Sequence, residues 1–112
     1  MRRGEIWWAS LPEPAGSEPG YRRPLVIVQA DSFNQSGIRT VLGIVLTTNL
    51  RLADAPGNVL LTPRQTGLPK DCVANVSQIV TADKGVLTER AGFLPLSLMA
   101  RIEEGLRLVL DL

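Results

Sequence analysis

Short apolar runs alternate with polar segments that contain glycine and proline over the first 93 residues. Each run has the length of a strand and ends at turn-forming residues, a pattern typical of buried β-strands. The predicted strands cover residues 4–10, 24–30, 40–47, 58–62, 72–80 and 86–93. Pro24 suits the first position of its strand, since proline cannot donate to a sheet ladder. Residues 12–22, with three prolines and two glycines, are predicted to form an irregular loop.

The pattern changes to a helical period near the end of the chain. Pro95 suits a first helical position, and Glu103 and Arg107 form a favourable pair four residues apart. Gly105 costs about 1 kcal/mol relative to alanine inside a helix, so we expect another segment to pack close to it. Apolar side chains recur at helical spacing at Leu98, Met99, Ile102, Leu106, Val109 and Leu110. Several short strands followed by one helix predict a mainly β fold, a small barrel closed by a C-terminal α-helix.

Composition is that of an ordinary globular domain: 112 residues with 45% hydrophobic and 21% charged side chains. We therefore expect one domain over residues 1–112 with a modest core. The apolar runs are too short for a membrane span, and no signal-like apolar segment follows Arg2 and Arg3. A cytoplasmic protein is expected. The formal net charge of +1 gives no overall attraction to nucleic acid, so any RNA binding requires a local basic patch.

Two residue counts exclude whole classes of site. Histidine is absent and Cys72 is the only cysteine. Ser-His-Asp and Cys-His arrangements, histidine-based zinc sites and two-histidine ribonuclease mechanisms are thereby ruled out, as is an intrachain disulfide. Cys72 is expected to be a buried apolar filler.

Arg23 is the leading candidate for a functional side chain. It is followed by Pro24 and preceded by the loop, and a guanidinium there presents a planar fork that suits phosphate. The alternative is an ordinary surface ion pair with Glu18 or Asp31, which the local sequence alone favours.

Several other polar side chains carry two interpretations. Thr47 and Thr48 end an apolar strand and either position a substrate oxygen or cap the turn. Ser17 and Glu18 either line a substrate groove or lie in solvent.

Of the adjacent Trp7 and Trp8, one is expected to point to the core and the other outward. The outward ring would cover a helix or an interface, or stack on a base.

The fifth predicted strand carries the remaining candidates. Asn75, Ser77 and Gln78 suit hydrogen bonds to base edges, or they form one solvated face of the sheet.

Together these segments resemble the MazF/PemK family of toxins, and the resemblance spans essentially the whole chain. No single motif is decisive, but the order and spacing of the segments are specific. They are Arg3-Gly4-Glu5-Ile6-Trp7-Trp8, Gly16-Ser17-Glu18, Arg23-Pro24, Asp31-Ser32-Phe33-Asn34, Leu46-Thr47, Gln78 with Thr81-Ala82-Asp83-Lys84, and the stretch from Met99 to Leu106.

The resemblance implies a sequence-specific endoribonuclease, the toxin of a toxin–antitoxin pair. It implies cleavage of single-stranded RNA to 2′,3′-cyclic phosphate and 5′-hydroxyl ends, with no metal and no cofactor. It also implies a homodimer, an SH3-like barrel and a MazE-like antitoxin partner. The arginine before the proline of the second strand corresponds to Arg23, the threonine ending the next strand to Thr47, and the serine of the loop motif to Ser17.

The chain departs from the family's pattern on one strand. Some relatives carry an Arg-x-Asp pair where this chain has Asn75 and Ser77, and others have a basic residue where it has Val80. The resemblance therefore does not extend to an acid–base role for this strand.

These assignments fit the chemistry of RNA, whose own 2′-hydroxyl serves as the nucleophile. An arginine guanidinium stays protonated at ordinary pH, so we expect Arg23 to stabilise the phosphorane electrostatically, with Thr47 holding an oxygen. Arg2, Arg3, Arg22 and Arg23 can supply the few phosphate contacts that a short single strand needs.

Two non-enzymatic alternatives remain open at this stage. The gyrase-poisoning toxin CcdB shares the MazF fold, acts by binding a protein, and lacks the arginine–threonine pair. A plain SH3-like adaptor would bind peptides through aromatic grooves, for which five aromatic residues are few. The Trp7–Trp8 strand and the apolar helix predict a homodimer.

Overall fold

The computed structural model describes residues 1–17 and 20–112, and six antiparallel strands dominate it. They lie in one sheet in the order β4-β5-β3-β2-β1-β6. The strands are β1 (Glu5–Leu11), β2 (Tyr21–Ile27), β3 (Thr40–Thr47), β4 (Val59–Leu61), β5 (Cys72–Asp83) and β6 (Leu87–Phe93). The helices are α1 (Asp31–Asn34), α2 (Pro63–Thr66) and α3 (Leu96–Leu110), with short 3-10 segments at Leu50–Asp54 and Lys84–Val86.

Apolar side chains cover both faces of the sheet, because successive residues of a strand point in opposite directions. One cluster joins Ile6, Ile44 and Leu46 of the sheet to Met99 and Ile102 of α3. A second cluster, on the other face, contains Ala9, Leu25 and Val45. The mainly β fold with a C-terminal helix is confirmed.

Each of the two adjacent tryptophans packs against one of the two clusters. Trp8 packs against the cluster beneath α3, and Trp7 packs against the cluster on the opposite face. The prediction that they point in opposite directions is confirmed, although neither face is a bare solvent face. A curled sheet has an apolar face on each side, and each tryptophan is half-buried on its own face.

The sheet curls until its two ends approach one another. A side chain at Gly92 of β6 would collide with the carbonyl oxygen of Thr66 in α2, and one at Gly67 with that of Ala91. Gly67 also ends α2 with a φ of +77°, a conformation that favours glycine. The helix that follows β4 thus meets β6, and the sheet forms a curled half-barrel.

Helix α3 packs as its period predicts. Leu98, Met99 and Ile102 are buried, and so is Gly105. A side chain at Gly105 would overlap the carbonyl oxygen of Gly57, so the expected close approach is confirmed. Pro95 occupies the N-cap, one residue before the predicted position.

Strand β2 begins earlier than predicted, at Tyr21, and ends earlier, at Ile27. Pro24 therefore lies inside the strand, opposite Trp8 of β1. On its other side β2 pairs with β3 only from Leu25 onward, so at Pro24 the strand has one neighbour. A sheet tolerates proline at such an edge position. Arg22 and Arg23 consequently lie on a strand rather than in a loop.

Candidate functional site

The candidate site lies where β2 and β3 stop pairing. Leu25 and Val45 form the last pair of that ladder. Continuing the same register by two residues places Arg23 opposite Thr47. Because strand residues alternate between faces, both belong to the face that carries Leu25 and Val45. The extended register therefore relates two residues that are far apart in the chain.

The Arg23 side chain is exposed, and its Nε donates a hydrogen bond to the carbonyl oxygen of Gly20 at 3.3 Å. Asp31, one of its two expected carboxylate partners, accepts hydrogen bonds from the Arg3 backbone N–H and the Asn34 amide instead. The other, Glu18, lies outside the described residues. Among the residues that the structure describes, no carboxylate forms an ion pair with Arg23. Its guanidinium therefore faces solvent and is open to an anion.

Thr47 ends β3 and is half-buried. Its Oγ1 accepts a hydrogen bond from the Asn49 N–H at 3.1 Å, so the predicted capping interaction is present. A hydroxyl both accepts and donates, so its own hydrogen remains able to bind a substrate oxygen. The two interpretations of Thr47 are therefore compatible.

A cleft of about 270 Å³ opens beside this edge. Trp8, Arg22, Arg23 and Pro24 form its wall on β1 and β2. Thr48 follows Thr47 and lines the cleft, whereas Thr47 itself does not. The cleft lies on the face of the sheet that carries Trp8. Arg23 belongs to the other face by strand alternation, but its long side chain lines the cleft from the free edge of β2.

The far wall comes from the segment between α2 and β5. Leu68, Pro69 and Lys70 line it, with the buried Leu46 and Cys72 beneath. Burial and the neighbouring Asp71 raise the pKa of the Cys72 thiol to about 11. Cys72 is therefore a neutral apolar filler, as predicted.

Arg22 is fixed against the wall by two contacts. Its guanidinium carbon lies 4.1 Å from the centre of the Trp8 ring, a cation–π contact. Its Nη2 also lies 3.3 Å from Oε2 of Glu89 on β6. Both partners of that ion pair are largely exposed, so the pair adds little stability and is easily exchanged for another anion.

Arg3, an expected phosphate contact, is not among the residues that line the cleft. Its Nη2 pairs with Glu103 of α3 at 2.9 Å, and its Nε donates to the carbonyl oxygen of Val28 at 3.0 Å. Glu103 was expected to pair with Arg107, and it binds Arg3 instead. Arg3 thus holds the N-terminus to α3 and to the end of β2.

The three polar candidates on β5 do not line the cleft either. Asn75 is buried, and its Oδ1 accepts hydrogen bonds from Ser77 Oγ at 2.9 Å and Asn58 Nδ2 at 3.3 Å. Ser77 is exposed and Gln78 is half-buried. Asn75, Ser77 and Gln78 therefore do not form a face of unbound hydrogen-bonding groups, nor a face that is wholly exposed to solvent.

Asn58, which the sequence analysis did not single out, is the centre of this network. It donates to the carbonyl oxygen of Leu52 at 2.9 Å and accepts from the Val76 N–H at 3.0 Å. These bonds fasten the connection between β3 and β4, which follows Thr48, to β5. An asparagine after the Pro56-Gly57 turn was the only signal in the sequence.

Lys70 was also missed. The sequence around it indicates only a turn, which the structure confirms, and nothing in that turn points to the arginines. The fold alone brings Lys70 across the cleft from Arg22 and Arg23. Of the loop candidates, Ser17 is exposed, and Glu18 lies outside the described residues.

Glu5 is a buried carboxylate that belongs to the scaffold beneath the N-terminus. It accepts hydrogen bonds from the Arg2 N–H at 2.6 Å, the Trp7 indole at 3.2 Å and Arg90 Nη1 at 2.9 Å. Burial alone would raise its pKa, but the bonds from Arg90, Arg2 and Trp7 outweigh this and lower it. Glu5 is therefore ionised at neutral pH and holds β6 to β1.

Within residues 1–17 and 20–112, no helix is both long and apolar enough to cross a membrane. In the same ranges, no three acidic or cysteine side chains lie close enough to hold a metal ion.

Comparison with known proteins places the chain in a family. The family described as "PemK-like, MazF-like toxin of type II toxin-antitoxin system" matches residues 2–110. A curated relative from Mycobacterium tuberculosis, named Endoribonuclease MazF6, is 50% identical over 112 residues, covering all of this chain and 98% of the relative.

Solved structures agree on the fold. MazF from Deinococcus radiodurans superposes with a TM-score of 0.82 at 19% identity, covering all of this chain and 97% of the other. A mycobacterial endoribonuclease in complex with its cognate antitoxin superposes with a TM-score of 0.77 at 24% identity, covering 100% and 96%. At such identities the likeness concerns the fold.

Proposed function

This chain belongs to the PemK-like, MazF-like toxins of type II toxin–antitoxin systems, and we propose that it is a sequence-specific endoribonuclease that cleaves single-stranded RNA without a metal ion. The observation that carries the site assignment is the register of β2 and β3. Extended by two residues beyond its last pair, this register sets Arg23 opposite Thr47 on one face, which supports the assignment. An exposed guanidinium and a hydroxyl there are a pair of donors for one phosphate group.

The proposed reaction uses the RNA's own 2′-hydroxyl. It attacks the adjacent phosphorus, the bond to the 5′-oxygen breaks, and the products carry a 2′,3′-cyclic phosphate and a 5′-hydroxyl. The attack is intramolecular, so the protein's task is to align the strand and stabilise the charged phosphorane.

Arg23 stabilises that charge with two N–H donors, since a guanidinium cannot act as a base at ordinary pH. Thr47 donates its hydroxyl hydrogen to a non-bridging oxygen while its Oγ1 stays anchored by the Asn49 N–H. The described side chains that line the cleft include no histidine and no carboxylate, so we assign the proton transfers to solvent water.

RNA contacts follow from the cleft. Arg22 and Thr48 line it and contact the strand beside the scissile phosphate, and Ser17 and Glu18 on the preceding loop are proposed to cover the strand. Ser77 and Gln78 remain proposed contacts. Arg3 and Asn75, whose polar groups are bound internally, are proposed to position the scaffold instead.

Assembly and partners complete the proposal. Leu96 and Leu108 of α3 are 84% and 60% exposed, and Leu112 just after it is 85% exposed, so this end of the chain carries more uncovered apolar surface than a lone domain of this size favours. We propose a homodimer, with residues 1–112 as one toxin domain in each protomer. A MazE-like antitoxin is proposed to neutralise it, in line with the antitoxin complex of the mycobacterial relative. The site of action is the cytoplasm, where RNA is translated.

Alanine variants test the site. Arg23→Ala should lower the single-turnover cleavage rate by roughly 10²–10³-fold, the usual cost of removing a transition-state donor. Thr47→Ala should lower it more than Thr48→Ala does. Arg39→Ala, an exposed cation before the opposite end of β3, is the matched control and should leave the rate unchanged. Undiminished cleavage by Arg23→Ala would overturn the assignment.

The same variants separate the enzyme from the binding-only alternative. A CcdB-like poison would not need the arginine–threonine pair. Growth arrest that survives the combined Arg23→Ala and Thr47→Ala changes would support the poison, whereas its loss together with cleavage supports the nuclease.

A further inference from the structure

We propose that the cleft binds the unpaired base next to the scissile phosphate and that Lys70 makes it prefer guanine or uracil over adenine or cytosine. This inference rests on the proposed endoribonuclease function and names one element of its specificity. Three features of the cleft carry it: its size and position, the platform on one wall, and the kind of polar groups around it.

Size and position suit a single base. The volume of about 270 Å³ lies just below the range of drug-sized ligand sites, which run from about 300 to 1,000 Å³. The inner surface is apolar, with Pro24, Leu46 and Leu68, and cations stand at its edge. Arg23, the proposed phosphate ligand, is one of those cations, so a phosphate held there leaves its attached nucleoside beside the opening.

The wall on β1 and β2 offers a ready stacking platform. Trp8 is half-buried against the core, and Arg22 lies over its ring at 4.1 Å. Proteins that read single-stranded RNA stack splayed bases on aromatic rings and on arginine guanidinium planes. Because Arg22 already lies over the Trp8 ring, ordering it on RNA binding costs little.

The polar side chains that line the cleft are almost all donors. Arg22, Arg23 and Lys70 donate only, and the Thr48 hydroxyl alone among the described lining side chains accepts well. The Cys72 thiol is neutral. Guanine carries the acceptor O6 and uracil the acceptor O4 at the position where adenine and cytosine carry an exocyclic amino group, which needs an acceptor. The cleft therefore favours the keto bases.

Lys70 is the donor that remains free to read the base. Arg22 is engaged by Trp8 and Glu89, and Arg23 is assigned to phosphate. Within residues 1–17 and 20–112, the structure shows no ion pair and no side-chain hydrogen bond to the Lys70 ammonium. Its turn is firmly placed, because the Leu68 N–H donates to the buried Thr66 Oγ1 at 3.0 Å and Gly67 packs against β6.

The test is the cleavage motif of three proteins on one mixed RNA pool. Wild type should show one position beside the cut where guanine or uracil is preferred by about tenfold or more, a discrimination that one good contact to a base edge can supply. Lys70→Met should reduce that preference to within about twofold and leave the other motif positions unchanged. Lys70→Glu, which replaces the donor by an acceptor, should shift the same position toward adenine or cytosine.

Arg39→Glu is the matched control for the change of charge, and it should retain the wild-type motif. Lys70 is exposed, so its variants should fold as wild type does, and circular dichroism checks this. No cleavage by wild type would overturn the proposed function and this inference with it. Cleavage with an unchanged motif in Lys70→Met would overturn this inference alone. An unchanged motif with weaker neutralisation by the antitoxin would assign the cleft to the antitoxin and likewise overturn it.

Discussion

Replacing Gly105 by alanine should destabilise the protein, although alanine improves the local helix by about 1 kcal/mol. The added methyl group would overlap the carbonyl oxygen of Gly57 and lie 3.0 Å from Val76 Cγ1. Gly57 has a φ of +84° in a turn, so its backbone cannot easily retreat. Overpacking of this kind costs about 1–3 kcal/mol, and a contact with backbone belongs near the upper limit.

We therefore expect a net loss of about 1–2 kcal/mol in the free energy of unfolding. Urea denaturation at fixed protein concentration measures it, since the stability of a dimer depends on concentration. Gly37→Ala is the control, because a side chain at Gly37 meets no atom within 4 Å. Its stability should equal or slightly exceed that of wild type. A Gly105→Ala protein as stable as wild type would refute the close packing of α3 on the Gly57 turn.

Three further predictions concern titration, reactivity and assembly. The pKa of Glu5 is lowered from 4.5, so its contribution to stability is present above pH 4.5 and is lost as the pH falls through the folded pKa. Glu5→Gln should lower stability at pH 7 and flatten its decline between pH 5 and pH 3 in urea titrations, and equal slopes for both proteins would contradict this. Burial raises the Cys72 pKa to about 11, so the native thiol should resist alkylation at pH 8 and react once urea unfolds the chain, and rapid native reaction would contradict its burial. Light scattering at micromolar concentration should give the mass of a dimer, whereas a mass near 12.2 kDa would contradict the proposed assembly.

The sequence alone predicted the bounds of those elements whose pattern of apolar residues lies within the element itself. The apolar run of β3 matched its predicted bounds, and the helical period from Leu96 gave α3 and its buried face. Gly105 was informative because a costly residue inside a helix needs a compensating reason, and Gly57 supplies it.

Elements that depend on a neighbouring strand were less predictable. β2 starts at Tyr21 because β1 pairs with it up to that residue, although proline and glycine in the same stretch favour a loop. β5 continues to Asp83 because β3 extends alongside it. A one-turn helix such as α2 has too few residues for a periodic signal.

The residues of the candidate site also differ in whether the sequence alone could indicate their role. Arg23 and Thr47 are proposed through resemblance, and an extension of the β2–β3 register by two residues sets them opposite one another. The ion pair of Arg3 was not predictable, because its partner Glu103 lies a hundred residues away on α3, while the local pattern paired Glu103 with Arg107. Lys70 and Asn58 act through contacts that only the folded chain creates.

Cleavage of a mixed RNA pool by wild-type protein in excess EDTA, with chemical analysis of the fragment ends, tests the central claim most directly. The account predicts cuts in single-stranded regions at a restricted motif, undiminished by EDTA, with 2′,3′-cyclic phosphate and 5′-hydroxyl ends. Absence of cleavage, loss of cleavage in EDTA, or fragments with 5′-phosphate ends would contradict it.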